Sequence, residues 1–173
     1  MALVVFLHGP SSSGKSTLAA ELRRRAVRPF LHLSIDHLRD SGAWDPASYP
    51  DWRGARPGFF SGFHAAVAGF AAAGNDLILE HILDTPGWQA ELQGLLAAHD
   101  VLFVGLHTPL FALQQREASR GDRIIGSAAQ DFHSVHAGLT YDITLDGTAS
   151  VSDSARRVLA ALKDPLPRSG FFA

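Results

Sequence analysis

The sequence contains no cysteine, which excludes disulfides, thiolate catalysis and cysteine-ligated zinc together and suits a reducing compartment. It also lacks an excess of either charge: 15 Lys and Arg stand against 17 Asp and Glu, for a net charge of −2 and a pI near 6.5. Domains that bind nucleic acid usually carry a marked basic excess, so a polynucleotide substrate is disfavoured. Long apolar runs are missing too. Ala2 to Leu7 is too short for the core of a signal peptide and has no basic segment before it, and no later stretch approaches a membrane span. A cytoplasmic protein that does not engage a membrane is expected. Of the nine histidines, His133 and His136 sit at helical i, i+3 spacing, but there is no second pair at zinc-ligand spacing and no H-E-x-x-H, so no metal-ligand role is assigned to them.

What is present begins with 46% apolar residues in a chain of 173, enough for the core of one domain. The apolar run Ala2 to Leu7 empties into Gly9-Pro10-Ser11-Ser12-Ser13-Gly14-Lys15-Ser16-Thr17, which has the spacing G-x-x-x-x-G-K-[ST] of a P-loop. Gly9 and Gly14 allow backbone angles closed to residues with a Cβ, so that successive N–H groups turn inward around phosphate oxygens. Lys15 then reaches the outer phosphates. Ser16 offers a hydroxyl to Mg²⁺ where the positive end of the following helix faces the phosphates. A strand before the motif and the helical pattern Leu18 to Leu22 after it give the context that separates a nucleoside-triphosphate site from a chance Gly/Ser-rich turn.

Further along, Pro29 breaks the first helix and Phe30 to Leu33 reads as a second strand leading to Ser34, Ile35 and Asp36. Ser41 to Pro57, punctuated by Pro46, Pro50, Pro57, Gly42 and Gly54, is expected to be a long irregular excursion. Helical spacing resumes from Phe59 to Ala73, and Gly74-Asn75 stops that helix before the strand Leu77 to Leu79, which ends at Glu80. A helix from Pro86 to Ala98, a strand from Val101 to Leu106, a helix after Pro109, a strand near Tyr141 to Leu145 and a helix from Ser150 to Leu162 complete an alternating β/α series. Residues 1–163 are thus expected to form one domain with a parallel sheet, and 164–173 a loosely held tail. In such sheets ligands sit beyond the carboxyl ends of the strands, so the P-loop, Asp36, Glu80, His81, His107 and Thr108 should converge on one cleft.

Three sets of residues could carry chemistry there. Asp36 could accept the proton of a substrate hydroxyl, or could merely cap a short helix. Glu80 could hold Mg²⁺ or its water in the manner of a Walker-B acid, or be a solvated strand-end carboxylate, and Asp84 competes for the role. Arg116, Arg120 and Arg123 could form a mobile segment that neutralises a transferring phosphoryl group, or a basic helix end. Trp44, Trp52, Phe59 and Phe60 either wall a substrate site or pack a long loop onto the core. No base-reading N-K-x-D motif is present.

Taken together, Gly9 to Ser16, Ser34-Ile35-Asp36-His37-Leu38, Arg116-Glu-Ala-Ser-Arg120-Gly-Asp-Arg123 and Val135-His136-x-Gly-x-x-Tyr141-Asp142 resemble, in order, the landmarks of chloramphenicol phosphotransferase and its P-loop kinase relatives. The resemblance implies a three-layer α/β/α P-loop fold with a parallel five-stranded sheet of order 2-3-1-4-5 and a small arginine-bearing lid at about 116–136. It implies ATP with Mg²⁺, Asp36 as the base on a primary hydroxyl, and Lys15, Arg120 and Arg123 at the transferring phosphoryl, with Arg116 beside the nucleotide. The expected acceptor is a small hydroxylated molecule, a chloramphenicol-like antibiotic first. A nucleoside or sugar is the alternative, and a nucleotide-binding regulatory or toxin-like protein is the reading of another class. Homo-oligomerisation is not readable. This chain departs from the resistance enzyme in having Glu80-His81 where that enzyme has an acidic pair, and in its stretch from Asp40 to Pro57.

Overall fold

The central strand is built from the apolar N-terminal run, whose alternate side chains enter two different cores. In the computed structural model, which describes residues 1–120, 126–163 and 170–173, Leu3–His8 forms β1 with all six residues buried. Leu3, Val5 and Leu7 join the core under helices α1 (Lys15–Arg25) and α7 (Val151–Ala161). Ala2, Val4 and Phe6 join the opposite core under α3 (Trp52–Ala72) and α4 (Trp88–Leu96). A strand buried on both faces reads as a continuous apolar run rather than an alternating one, as this run does.

Around β1 lie β2 (Leu31–Ser34), β3 (Leu77–Glu80), β4 (Asp100–His107) and β5 (Ile143–Asp146). The sheet has the order β2-β3-β1-β4-β5, with every described pairing parallel. The expected parallel sheet, its order and its helix-covered faces are therefore present. The remaining helices are α2 (Ile35–Asp40), α5 (Leu110–Arg120) and α6 (Ser127–Phe132), α5 and α6 standing in the expected lid region. Among the described residues no helix is long and apolar enough to cross a membrane.

Two segments differ from the sequence-based expectation. The excursion after α2 ends at Asp51 rather than Pro57, because Asp51 caps α3 by accepting the Gly54 N–H at 3.0 Å, and the helix runs through Pro57. Proline costs one early hydrogen bond there, while burial of Phe60, Phe63, His64, Val67 and Ala71 along one face holds the helix in place. The expected loose tail returns to the sheet at Gly170–Phe172. Phe171 is fully buried against Phe6 and Phe103, with ring centroids 5.3 and 5.2 Å away. Gln93 Nε2 donates to the Phe171 carbonyl at 2.7 Å, and the Gly170 N–H donates to Asp142 Oδ1 at 2.9 Å.

Truncating a fully buried phenylalanine removes both transfer energy and packing, so Phe171→Ala is expected to lower unfolding stability by about 3–5 kcal/mol. Urea titration of the full chain checks this, and a loss below about 1 kcal/mol, the scale of an ordinary substitution, would mean that the terminal turn is not part of the core.

Candidate active site

The loop between β1 and α1 lines one cleft of about 470 Å³ with its residues Ser11 to Leu18, and Asp36, Phe60, His81, Asp84 and Trp88 line the same cleft. Its backbone is shaped by three left-handed or strained residues. Gly14 caps α1 at φ 103°, Ser12 has φ 63°, and Gly9 has φ 153° with no room for a side chain, since a Cβ there would lie 2.7 Å from the Leu106 carbonyl oxygen. The outer side of the loop is braced. Arg116 Nη1 donates to the Ser13 carbonyl at 3.2 Å and its Nη2 to the Gly147 carbonyl at 2.7 Å, while Thr108 Oγ1 donates to Ser13 at 3.3 Å. Gly147 is required for that closeness, because a Cβ there would fall 1.8 Å from Thr108 Oγ1. Of the residues that sequence places at the strand ends, Thr108 thus supports the loop from behind, and His107 stacks on His136 at 3.8 Å.

Lys15 is buried at the base of the loop, and its Nζ donates to the carbonyls of Gly9 and Pro10, both at 2.9 Å. Ser16 Oγ donates to Glu80 Oε1 at 2.8 Å, and His32 Nε2 lies 3.2 Å from Glu80 Oε2. Burial alone would raise the Glu80 carboxyl, but the hydrogen bond from His32, the charge of Lys15 and the hydrogen bond from Ser16 outweigh it and hold Glu80 below its usual range. Glu80 is therefore an anion beside the P-loop hydroxyl. Asp84, the competing acid, is engaged elsewhere: Arg56 Nη2 meets its two oxygens at 3.0 and 3.1 Å.

Asp36 stands in the first turn of α2 and lines the cleft. The helix cap is Ser34, whose Oγ accepts the Asp36 N–H at 3.3 Å, so the carboxylate is not spent on capping; Arg39 Nη1 lies 3.1 Å from it. Arg116 lines the cleft from α5. Arg120 ends that helix, and Arg123 lies outside the described residues.

The cleft brings Phe60 and His81, which sequence reasoning offered as candidates, together with Trp88, to which it gave no role. Phe60 and Trp88 pack at 4.4 Å, and the Arg56 guanidinium lies 4.9 and 4.8 Å from their ring centroids. Trp44, Trp52 and Phe59 instead cluster with one another, Trp44 stacking on Phe59 at 4.7 Å. His81 stacks on Trp88 at 5.1 Å, and its Nε2 lies 3.0 Å from Nε2 of His64, which is buried on α3. Burial first, then His64, Lys15 and Arg56, push the His81 imidazole down to about 3. The one signal in sequence was a histidine, His64, set at helical spacing within the apolar face Phe60, Phe63, Val67.

The sequence pattern of chloramphenicol phosphotransferase-like proteins matches residues 2–163. The chain belongs to this family. A provisionally named O-phosphotransferase of Mycobacterium tuberculosis, found in two strains, is 26% identical over 179 residues, covering 90% of this chain and 80% of the relative. Among solved structures, the Mycobacterium tuberculosis APS kinase superposes with a TM-score of 0.66 at 18% identity, covering 94% of this chain and 98% of that one. Shikimate kinase from Acinetobacter baumannii gives 0.64 at 20% identity, with 96% of each chain covered. Membership and fold make the protein a small-molecule kinase.

A buried neutral histidine weakens the fold as pH falls. The unfolded chain binds a proton below the ordinary histidine value of 6.5 while His81 stays neutral down to about 3, so the stability present above pH 6.5 is lost progressively through that window. The slope from one such group approaches about 1.4 kcal/mol per pH unit. Urea midpoints at pH 7, 6, 5 and 4 should decline more steeply for the wild type than for His81→Asn, and parallel curves would refute the assignment.

Proposed function

We propose that the protein is an ATP-dependent O-phosphotransferase that moves the γ-phosphoryl group to a hydroxyl of a small molecule, a chloramphenicol-like antibiotic being the first candidate acceptor. The observation that carries this reading is that one cleft is lined at once by the P-loop, by Ser16 with Glu80, and by Asp36. Ser12 Oγ and Ser13 Oγ are buried without a hydrogen-bond partner among the described residues, as suits hydroxyls in a cradle for phosphate oxygens. The residues also fit Mg²⁺: Ser16 and the ionised Glu80 offer it hard oxygen donors, and the ion would neutralise charge on the phosphates.

In this reading Gly9, Pro10, Ser11, Ser12, Ser13, Gly14 and Thr17 shape the nucleotide site, and Lys15 leaves the carbonyls of Gly9 and Pro10 for the outer phosphates. Asp36 takes the proton as the hydroxyl oxygen attacks phosphorus, and the bond to the ADP leaving oxygen breaks. Arg120 and Arg123 stabilise the transferring group, and Arg116 ties the nucleotide loop to the helix that ends at Arg120. Catalysis is then positioning and electrostatics rather than covalent chemistry. The aromatic pair Phe60–Trp88, which lines the same cleft as Asp36, supports an acceptor with a flat or apolar body, such as chloramphenicol, over a sugar. A cytoplasmic setting fits this reading, since the donor is ATP and a cysteine-free chain suits a reducing compartment.

The test is ADP release from Mg-ATP with and without chloramphenicol, in the wild type and in Asp36→Asn, with mass spectrometry of the acceptor. The expected result is a gain of one phosphate on chloramphenicol, and a loss of roughly 10²- to 10⁴-fold in kcat in the variant at unchanged ATP affinity. Full activity in Asp36→Asn would remove it as the base. No stimulation by chloramphenicol would move the acceptor assignment to nucleosides or sugars.

A further inference from the structure

We infer that His81 offers a bare Nδ1 to the cleft as a hydrogen-bond acceptor for a second O–H or N–H group on the acceptor molecule, and that His64 and Glu91 fix its proton on the opposite nitrogen. This rests on the phosphotransferase reading above and specifies its acceptor further: the molecule carries a hydrogen-bond donor close to the hydroxyl that is phosphorylated.

The proton positions follow from partners. Glu91 Oε2 on α4 lies 3.1 Å from His64 Nδ1. The contact is not aligned well enough to count as a hydrogen bond, but a lone pair on that nitrogen would face a carboxylate at close range, so the proton belongs on Nδ1. With one proton on each ring, His64 Nε2 is then bare. His81 Nε2, 3.0 Å away, must be the donor. A neutral imidazole has one N–H, so Nδ1 of His81 is left as an acceptor.

That nitrogen is not shut in the interior. His81 is 4% exposed and lines the cleft with Phe60, Trp88 and Asp36, and no described residue hydrogen-bonds its Nδ1. Its plane is held on one side by Trp88 and on another by Phe63, at 5.1 and 5.6 Å. A buried acceptor with a locked plane discriminates strongly, because a molecule without the matching donor leaves it unpaired. Glu91 and His64 touch no substrate in this scheme; they are positioning residues.

Long-range ¹H–¹⁵N spectra of histidine-labelled full-length protein at pH 7 test the assignment without turnover, with His81 identified from His81→Asn. The expected spectrum has His81 protonated on Nε2 alone, and Glu91→Ala, a change at a partly exposed helix residue, should release that fixed tautomer. Chloramphenicol added with Mg-ADP should shift the His81 Nδ1 resonance, and under turnover Glu91→Ala should raise KM for chloramphenicol roughly tenfold while kcat moves less. The inference is overturned by a proton on His81 Nδ1, by a charged His64, which would reverse both assignments, or by an unmoved Nδ1 resonance when chloramphenicol shifts the Trp88 indole. If chloramphenicol moves neither, the reading of the acceptor fails, and the proton position alone decides.

Discussion

A buried ammonium group sets the terms for the rest of the cleft. Lys15 lies under the P-loop with its charge answered by two backbone carbonyls, and a cation taken out of water needs oxygen atoms around it. The same charge reaches groups on several strands. It helps to keep Glu80 ionised against its burial, and it adds to burial in holding His8, His81 and His136 neutral. Beside this ammonium group stand the ionised Glu80 and imidazoles that burial and the Lys15 charge hold below their ordinary value.

The division of the cleft follows from this arrangement. Charge and small polar groups collect where β1 and β3 end, and aromatic rings collect where α3 and α4 face the cleft. Arg56 bridges the two regimes by lying on Phe60 and Trp88 while sharing its guanidinium with Asp84, so its charge is already matched. Asp36 lines the same cleft from a helix start that Ser34, rather than Asp36 itself, caps.

Much of this was legible in the sequence because it is local. The P-loop is a contiguous motif, the strands are unbroken apolar runs, and Glu80 and Asp36 follow strand ends by rule. What could not be read depends on distance or on competition. Pro57 argues for a loop, yet the Asp51 cap and the buried face from Phe60 to Ala71 override it. The return of Phe171 to Phe6 and Phe103 spans nearly the whole chain, and the meeting of His64 with His81 joins a helix to a strand end with no periodicity to announce it. Arg116 shows the opposite case: its place near the nucleotide loop was readable, but not its grip on the carbonyls of Ser13 and Gly147.

The central position of β1 has a consequence for how the molecule is made. Val4 pairs with Leu77 on one side and Val101 on the other, so β1 waits for two partners encoded far downstream of it. Contacts of such long sequence separation close late, after the entropy of a large loop has been overcome. The P-loop cannot take its shape until the sheet around it is assembled. A nucleotide that binds the finished loop thereby stabilises the whole chain by mass action, and nascent fragments that end before β4 are left without that protection.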